Sequence, residues 1–254
     1  MSTPSRTIIT ASFLTGFALA SFLRLLDKRK TNAKNRTNAG AYDEGNDVTM
    51  FYGSTEQDHD NQEYIAKEKQ YLSADLYGQI VRNTVVVCVD CLIVKFNVHT
   101  NRHECLLVER ADEPAKNLWW LPGGRLYKGE TFFDGALRKV KEETGLDTTS
   151  TNSDGTTSTN VIRPIQVLGF YNTFFPTSSW DTDTDKGTQT VQPIILVKIE
   201  TAHTEILLDR TSERYRWIGL DPEEAKSNGE DRYVIDALLK YQAWDLSYGS
   251  TSGI

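Results

Sequence analysis

The sequence predicts an α/β protein built as an α/β/α sandwich, and three observations carry that expectation. Residues 85–94 are a dense β-branched run, the pattern of a strand buried on both faces. Within residues 121–146, Phe133, Ala136, Leu137, Val140 and Thr144 recur at helical spacing, which predicts an amphipathic helix. Residues 232–244 read as a last amphipathic helix, with Val234, Ile235, Leu238 and Leu239 on its face and Gln242 as a further candidate for it.

The chain has 254 residues and a net charge of -7, enough for one domain with extensions. No basic block falls in the domain, which argues against a nucleic-acid polymer as partner. Residues 1–30 are expected to be a targeting or membrane-anchor segment. The apolar run 8–23 follows Arg6 and precedes Arg24, Lys28, Arg29 and Lys30. It is shorter than the roughly 20 residues of a membrane span. A signal anchor, a signal peptide cut near Ala18-Leu19-Ala20 and an organellar transit peptide are all open, so membrane association through this run is an expectation without a fixed compartment. Residues 31–62 are polar and expected to be a disordered linker. The domain is placed at 63–246, with a flexible tail at 247–254.

Within the domain, residues 63–82 are expected to be helical and 85–94 to be a central strand interrupted by Asp90, which needs a partner there. Residues 105–110 give the next strand. Cys88 and Cys91 resemble C-x-x-C, but residues three apart on a strand point to opposite faces. With Cys105 they are expected to be buried thiols. Residues 147–160 read as a low-complexity loop. Two strands are expected at 165–175 and 192–200, and a short one within 205–217. Between the first two, Asp181, Asp183 and Asp185 alternate without the glycine and closing glutamate of a calcium loop. Trp180, in the same loop, is read either as a ring that stacks on a base or sugar or as a loop aromatic without a ligand.

The chemistry is concentrated at the corner where a glycine-rich loop enters the 121–146 helix. Thr131 resembles a capping-box start, and Gly145 stands where a helix end favours positive φ. Glu142 and Glu143 are then neighbours about 100° apart around the axis, beside the apolar stripe. Arg138, one turn earlier, is placed to orient a carboxylate, and the loop brings Glu130 near the same spot. Crowded oxygen donors of this kind suit Mg²⁺ or Mn²⁺.

These residues resemble the Nudix box, G-x5-E-x7-R-E-U-x-E-E-x-G-U with U aliphatic. Gly124, Glu130, Arg138, Val140, Glu142, Glu143, Gly145 and Leu146 match it, and Lys139 stands where the family usually has Glu. The resemblance implies a Nudix-type α/β/α sandwich with a mixed sheet, and a metal-dependent hydrolase of a small-molecule nucleotide. The departure at Lys139 argues against a three-glutamate metal cluster. A finer likeness, to the GDP-mannose mannosyl hydrolase branch, rests on residues 80–84, Asp90, Arg110-Ala111, residues 119–125, Phe170-Tyr171 and Tyr215-Arg216-Trp217. In that branch the residues matching Asp90, Arg110 and Arg125 serve the nucleotide sugar and its diphosphate. The Gly123 carbonyl and Glu143 match metal ligands. The alternative for Asp90 and Arg110 is a pair that only ties two strands.

Two positions depart from the branch. Thr211 and Ser212 stand where it has a Gln ligand and a His base, and neither replaces an imidazole as base. Glu213 is the substitute base or ligand by position. The implied chemistry is therefore an ion held by Gly123, Glu142 and Glu143, with Arg110 and Arg125 on the diphosphate and water attacking phosphorus. Glycosyl C–O cleavage and a non-catalytic nucleotide-binding module are the alternatives, and a homodimer is left open.

Overall fold

The computed structural model describes residues 72–147, 150–151, 157–158, 162–180, 186–200 and 205–249. The expectations for residues 1–62, for residues 63–71 of the expected helix and for Asp181, Asp183 and Asp185 lie outside them; the helix expected over 63–82 starts only at Ala74, because Ser73 is extended and caps it with its hydroxyl. No described helix is long and apolar enough to cross a membrane.

The elements in order are α1 (Ala74–Asn83), β1 (Val86–Asn97), β2 (Arg102–Arg110), β3 (Trp119–Trp120), β4 (Gly123–Arg125) and α2 (Phe132–Thr144). A small hairpin follows, β5 (Ser150–Thr151) and β6 (Thr157–Ser158), inside the stretch expected to be loop. Then come β7 (Ile162–Phe175), β8 (Thr188–Ile199), β9 (Ser212–Gly219), α3 (Pro222–Ser227) and α4 (Arg232–Trp244). The strand expected at 192–200 begins earlier because Thr188, Thr190 and Gln192 are polar yet buried, which hides them from a hydrophobicity reading. Helix α3 was not foreseen. It is six residues long and mostly polar, with Pro222 in its first turn and the Asp221 carboxylate capping its N–H groups.

Seven strands form one mixed sheet in which β1 runs parallel to β8 and every other pair is antiparallel. The central feature is a fork. β1 and β2 pair only where Val94–Asn97 meets Arg102–Cys105, and then diverge. β4 takes the freed edge of β1, setting Gly123 opposite Asp90, while β3 takes that of β2, setting Trp120 opposite Val108. The segment joining β3 to β4 therefore bridges the fork.

Alternation along β1 feeds two cores. Cys91 and Ile93 pack with Leu106, Ile195 and Val197 against Phe133, Ala136 and Val140 of α2. Leu92 and Val94 pack with Leu107, Ile194 and Leu196 against Val234, Ala237, Leu238 and Tyr241 of α4. Each fully buried aliphatic side chain contributes roughly 1.5–3 kcal/mol, so helices on both faces are what a strand this apolar requires. Two of the cysteines follow the same rule. Cys91 is buried on the α2 face with its thiol 3.7 Å from the Ala136 carbonyl oxygen and Cys105 is buried on the α4 face, whereas Cys88, expected to be buried, is only half-buried; all three thiols are free.

Candidate active site

Helix α2 is fixed at both ends by the residues that predicted it. The Thr131 hydroxyl accepts the Asp134 N–H at 3.0 Å and donates to the Asp134 carboxylate at 2.9 Å. Gly145 closes the helix at φ 70°, a conformation that disfavours any side chain. Arg138 then clamps the incoming loop to the helix. Its Nε lies 2.5 Å and its Nη2 2.9 Å from the two oxygens of Glu130, and Nη2 also donates to the Arg125 carbonyl at 2.9 Å. Its Nη1 holds Glu142 at 3.1 Å, and its guanidinium lies 3.7 Å over the Tyr127 ring. The expectation that Arg138 orients a carboxylate is met twice over, and it acts as a positioning residue.

Glu143 corrects the expectation that both glutamates lie beside the apolar stripe. It is only 4% exposed and turned inward. The β4 backbone reaches it there: Gly123 N–H donates to Oε2 at 2.9 Å. Gly123 is required because a Cβ would lie 2.2 Å from Asp90 Oδ1 and 2.4 Å from the Val89 carbonyl oxygen. The second oxygen of Glu143 faces Lys139 Nζ at 2.6 Å, and the same ammonium is 3.5 Å from Glu142. Burial raises the Glu143 carboxyl above its usual range, although Lys139 and the Gly123 amide pull against it. For Lys139, burial is the largest single influence and would lower the amine, but the Glu143 and Glu142 carboxylates together outweigh it and hold the ammonium above its ordinary value.

The oxygens of Glu142, Glu143 and the Gly123 carbonyl are the hard donors that Mg²⁺ and Mn²⁺ prefer. The Lys139 ammonium between the two carboxylates shows that this seat accepts a cation, and in kind the donor set fits a divalent ion. No group of three or more acidic, His or Cys side chains close enough to hold an ion occurs among the described residues.

Beside this corner, the fork between β1 and β2 opens into a cleft of about 150 Å³. Asp90, Arg110, Arg125 and Trp180, all expected to serve a ligand, line it together with Gly123 and Gly124. Arg125 lies 5.0 Å from the rings of both Tyr77 and Tyr127. Arg110 Nε donates to the Pro114 carbonyl at 2.9 Å. Trp180 is brought in by its loop, which is tied to Glu113 through Thr177 Oγ1 (2.7 Å) and Ser179 Oγ (2.9 Å). Its ring meets Tyr77 edge-on at 4.9 Å.

Asp90 finds its partners in Tyr233, whose hydroxyl donates to Oδ2 at 2.6 Å, and in the Trp120 indole. No ion pair joins Asp90 to Arg110 among the described residues, so the strand-tying alternative is not what the structure shows. Burial pushes Asp90 up to about 6, against the pull of the Tyr233 hydroxyl and of Arg110. Trp120 stacks on Tyr233 at 4.4 Å and 9°. Nearby, Gln192 Oε1 and Thr190 Oγ1 are buried, line the same cleft and have no hydrogen-bond partner. Tyr233, Gln192 and Thr190 were missed from sequence. Each is one polar atom on an otherwise core-facing element, and only the fold shows where it points.

Glu213 is the correction that matters most. The β2–β9 register slips between Glu109, opposite Arg214, and Arg110, opposite Ser212, which leaves Glu213 as the bulged residue. It is exposed and absent from the cleft lining. Asp209 is instead the turn carboxylate within electrostatic reach of Glu143. Leu207 N–H docks on the Thr144 carbonyl at the end of α2, at 2.8 Å. Two residues on, Asp209 is close enough to raise the Glu143 carboxyl. It also accepts the Thr211 N–H at 2.9 Å. In sequence it is one aspartate in a polar turn.

The sequence model of the NUDIX domain matches residues 89–238. The low-salt glycan biosynthesis protein Agl8 of Haloferax volcanii is 39% identical over 84 residues, 32% of this chain and 49% of that protein. An ADP-ribose pyrophosphatase of Methanocaldococcus jannaschii is 42% identical over 60 residues, 24% of this chain and 32% of its own length. The human 8-oxo-dGDP phosphatase NUDT18 is 38% identical over 56 residues, 22% and 17%. The chain thus spans half or less of these relatives. A C. elegans Ap4A hydrolase complex superposes on 65% of this chain and 100% of its own at 19% identity, with a TM-score of 0.45. Since the domain match covers more than half the chain and includes the box, both forked strands and the first turns of α4, the chain belongs to the Nudix family.

Proposed function

We propose that this chain hydrolyses the diphosphate linkage of a nucleoside diphosphate derivative, and that a nucleotide sugar is the class its cleft suits best. The observation that carries the reading is the placement of β4. Gly123 binds Glu143 with its N–H, and two residues on Arg125 enters the cleft that Arg110 also lines. One short strand thereby ties the Glu143 carboxylate of α2, through the Gly123 amide, to a guanidinium that faces the cleft. A guanidinium fork matches phosphate oxygens well. Tyr77 and Trp180 offer faces for a base, and Asp90, Thr190 and Gln192 offer buried acceptors for sugar hydroxyls. The names of the relatives, an ADP-ribose pyrophosphatase and an 8-oxo-dGDP phosphatase, support the nucleoside diphosphate class, and a glycan biosynthesis protein among them supports the sugar.

The Gly123 carbonyl, Glu142 and Glu143 would hold Mg²⁺ or Mn²⁺, which when bound supplies an acidified water and neutralises phosphate charge. Arg138 keeps Glu130 and Glu142 in place. Arg110 and Arg125 balance the diphosphate, and Asp209 or a box glutamate accepts the water proton. Attack at phosphorus releases a nucleoside monophosphate and a sugar phosphate. One observation, the ammonium of Lys139 in the cation seat, favours a second reading: a module that binds nucleotides without turning them over. A panel of nucleotide sugars, dinucleotides and nucleoside triphosphates, assayed with Mg²⁺ in ¹⁸O-water, tests all of this. Label in the phosphate product of a nucleotide sugar is expected. Label in the sugar would move the reaction to C–O cleavage, and binding without turnover would leave the module.

A further inference from the structure

We infer that Lys139 is a built-in occupant of the cation seat, so that a divalent ion binds this chain only by displacing the Lys139 ammonium. The inference rests on the proposed reading of Glu142, Glu143 and Gly123 as that seat.

Three observations carry it. The ammonium is 2.6 Å from Glu143 and 3.5 Å from Glu142, so it touches both side chains the ion would need. The lysine side chain is 14% exposed and that of Glu143 6%. Lysine is rarely buried to this degree without a partner, and this pair supplies one. Lastly, the charges around it are already committed. Arg138 is occupied by Glu130 and Glu142, which leaves Lys139 as the cation that Glu143 contacts directly among the described residues. An ammonium and a divalent ion repel each other in a buried site, so an ion on these two carboxylates is bound at the ammonium's expense.

The seat backs onto the ligand cleft. A Cβ on Gly124, which lines the cleft, would lie 2.8 Å from Lys139 Cε and 3.2 Å from Nζ. A displaced amine therefore has the cleft beside it, where the phosphates of a nucleotide would offer new partners. The expectation is a chain that binds a divalent ion weakly on its own and gains affinity when the tethered charge is removed.

The test titrates Mn²⁺ alone into the full chain, reading free ion by its paramagnetic resonance signal and the thermal midpoint in parallel. Lys139→Met is expected to bind Mn²⁺ at least about tenfold more tightly than the parent. Its midpoint should also rise more with Mn²⁺, because the ion then takes over the pairing of Glu143. Lys139→Gln, which keeps a donor for Glu143, serves if the methionine chain does not fold. Adding Glu143→Gln to either variant should abolish the gain. Equal Mn²⁺ affinity in parent and variants, lost on Glu143→Gln, would overturn the inference while leaving the seat intact. No saturable Mn²⁺ binding by any of the chains would remove the seat itself, and with it the metal assignment of the proposed function.

Discussion

Helices α2 and α4 are both thirteen residues long and lie on opposite faces of one sheet, yet they serve the cleft by different physics. α2 meets it with charge: Arg138, Lys139, Glu142 and Glu143 form a partly buried network around the β4 backbone. α4 meets it with rings: Tyr233 in its first turn stacks on Trp120, touches Tyr171 edge-on at 5.0 Å, and donates one hydrogen bond to Asp90. The charged half is stable only because each buried charge has a partner. The aromatic half is stable by area, and it fixes a single carboxylate at the floor. Damage to the first half should therefore remove chemistry, and damage to the second should shift affinity and pH dependence.

The largest expected effect breaks the α2 half. Glu143→Gln removes a donor oxygen from the proposed seat and should lower turnover of the preferred nucleotide at least about hundredfold. It should also destabilise the chain by roughly 3 kcal/mol, because the Lys139 ammonium loses its partner in a buried site. Steady-state kinetics and urea unfolding read the two effects separately. Turnover within about threefold of the parent would place the chemistry elsewhere than on α2.

Next is the carboxylate held by the α4 half. Folded Asp90 keeps its proton up to about pH 6, whereas the unfolded chain releases it near 3.8. Between those values the folded state binds more protons, so this residue makes stability fall as pH rises from about 4 to about 6, by on the order of 3 kcal/mol. Asp90→Asn keeps an acceptor for the Tyr233 hydroxyl but cannot ionise. Its unfolding free energy should lack that decline and exceed the parent value at pH 7, while nucleotide-sugar affinity falls. Parallel pH–stability curves for the two chains would show that burial does not perturb Asp90.

The same contrast explains what could be read from the sequence. The α2 half is local in sequence. Thr131, Arg138, Glu142, Glu143 and Gly145 lie within fifteen positions, so helical geometry alone fixes their relation. Even there the inward turn of Glu143 was missed, because it depends on the amide of Gly123 across the fork. The α4 half joins Asp90 to Tyr233, 143 positions apart, and no periodicity encodes such a contact. The three layers were legible because the apolar run of β1 requires cover on both faces. The fork was not, since β3 and β4 are two and three residues long and are held by edge pairing.

A smaller effect sharpens the boundary between the halves. Trp180 belongs to neither helix and reaches the cleft through the contacts of its loop with Glu113. If its ring stacks on a base, Trp180→Ala should raise KM about tenfold with kcat nearly unchanged, the range expected for loss of one base–aromatic contact. An unchanged KM for every nucleotide in the panel would leave Trp180 as a packing partner of Tyr77 only.

The smallest expected effect concerns Glu213, which sequence position nominates as base and structure does not. Its neighbour Arg214 is paired with Glu109, and Glu213 itself is an exposed charge on a bulge, screened by water and salt. Glu213→Gln should therefore leave kcat within about twofold. Asp209→Asn is the informative companion. Asp209 lies within electrostatic reach of Glu143, and its turn is anchored to the end of α2 through Leu207. If it accepts the proton, its loss should lower kcat without changing KM. The opposite outcome, a silent Asp209→Asn beside a Glu213→Gln variant that loses tenfold or more, would mean that the β2–β9 bulge turns inward when substrate binds and that the base is carried by the sheet rather than by the loop docked on α2.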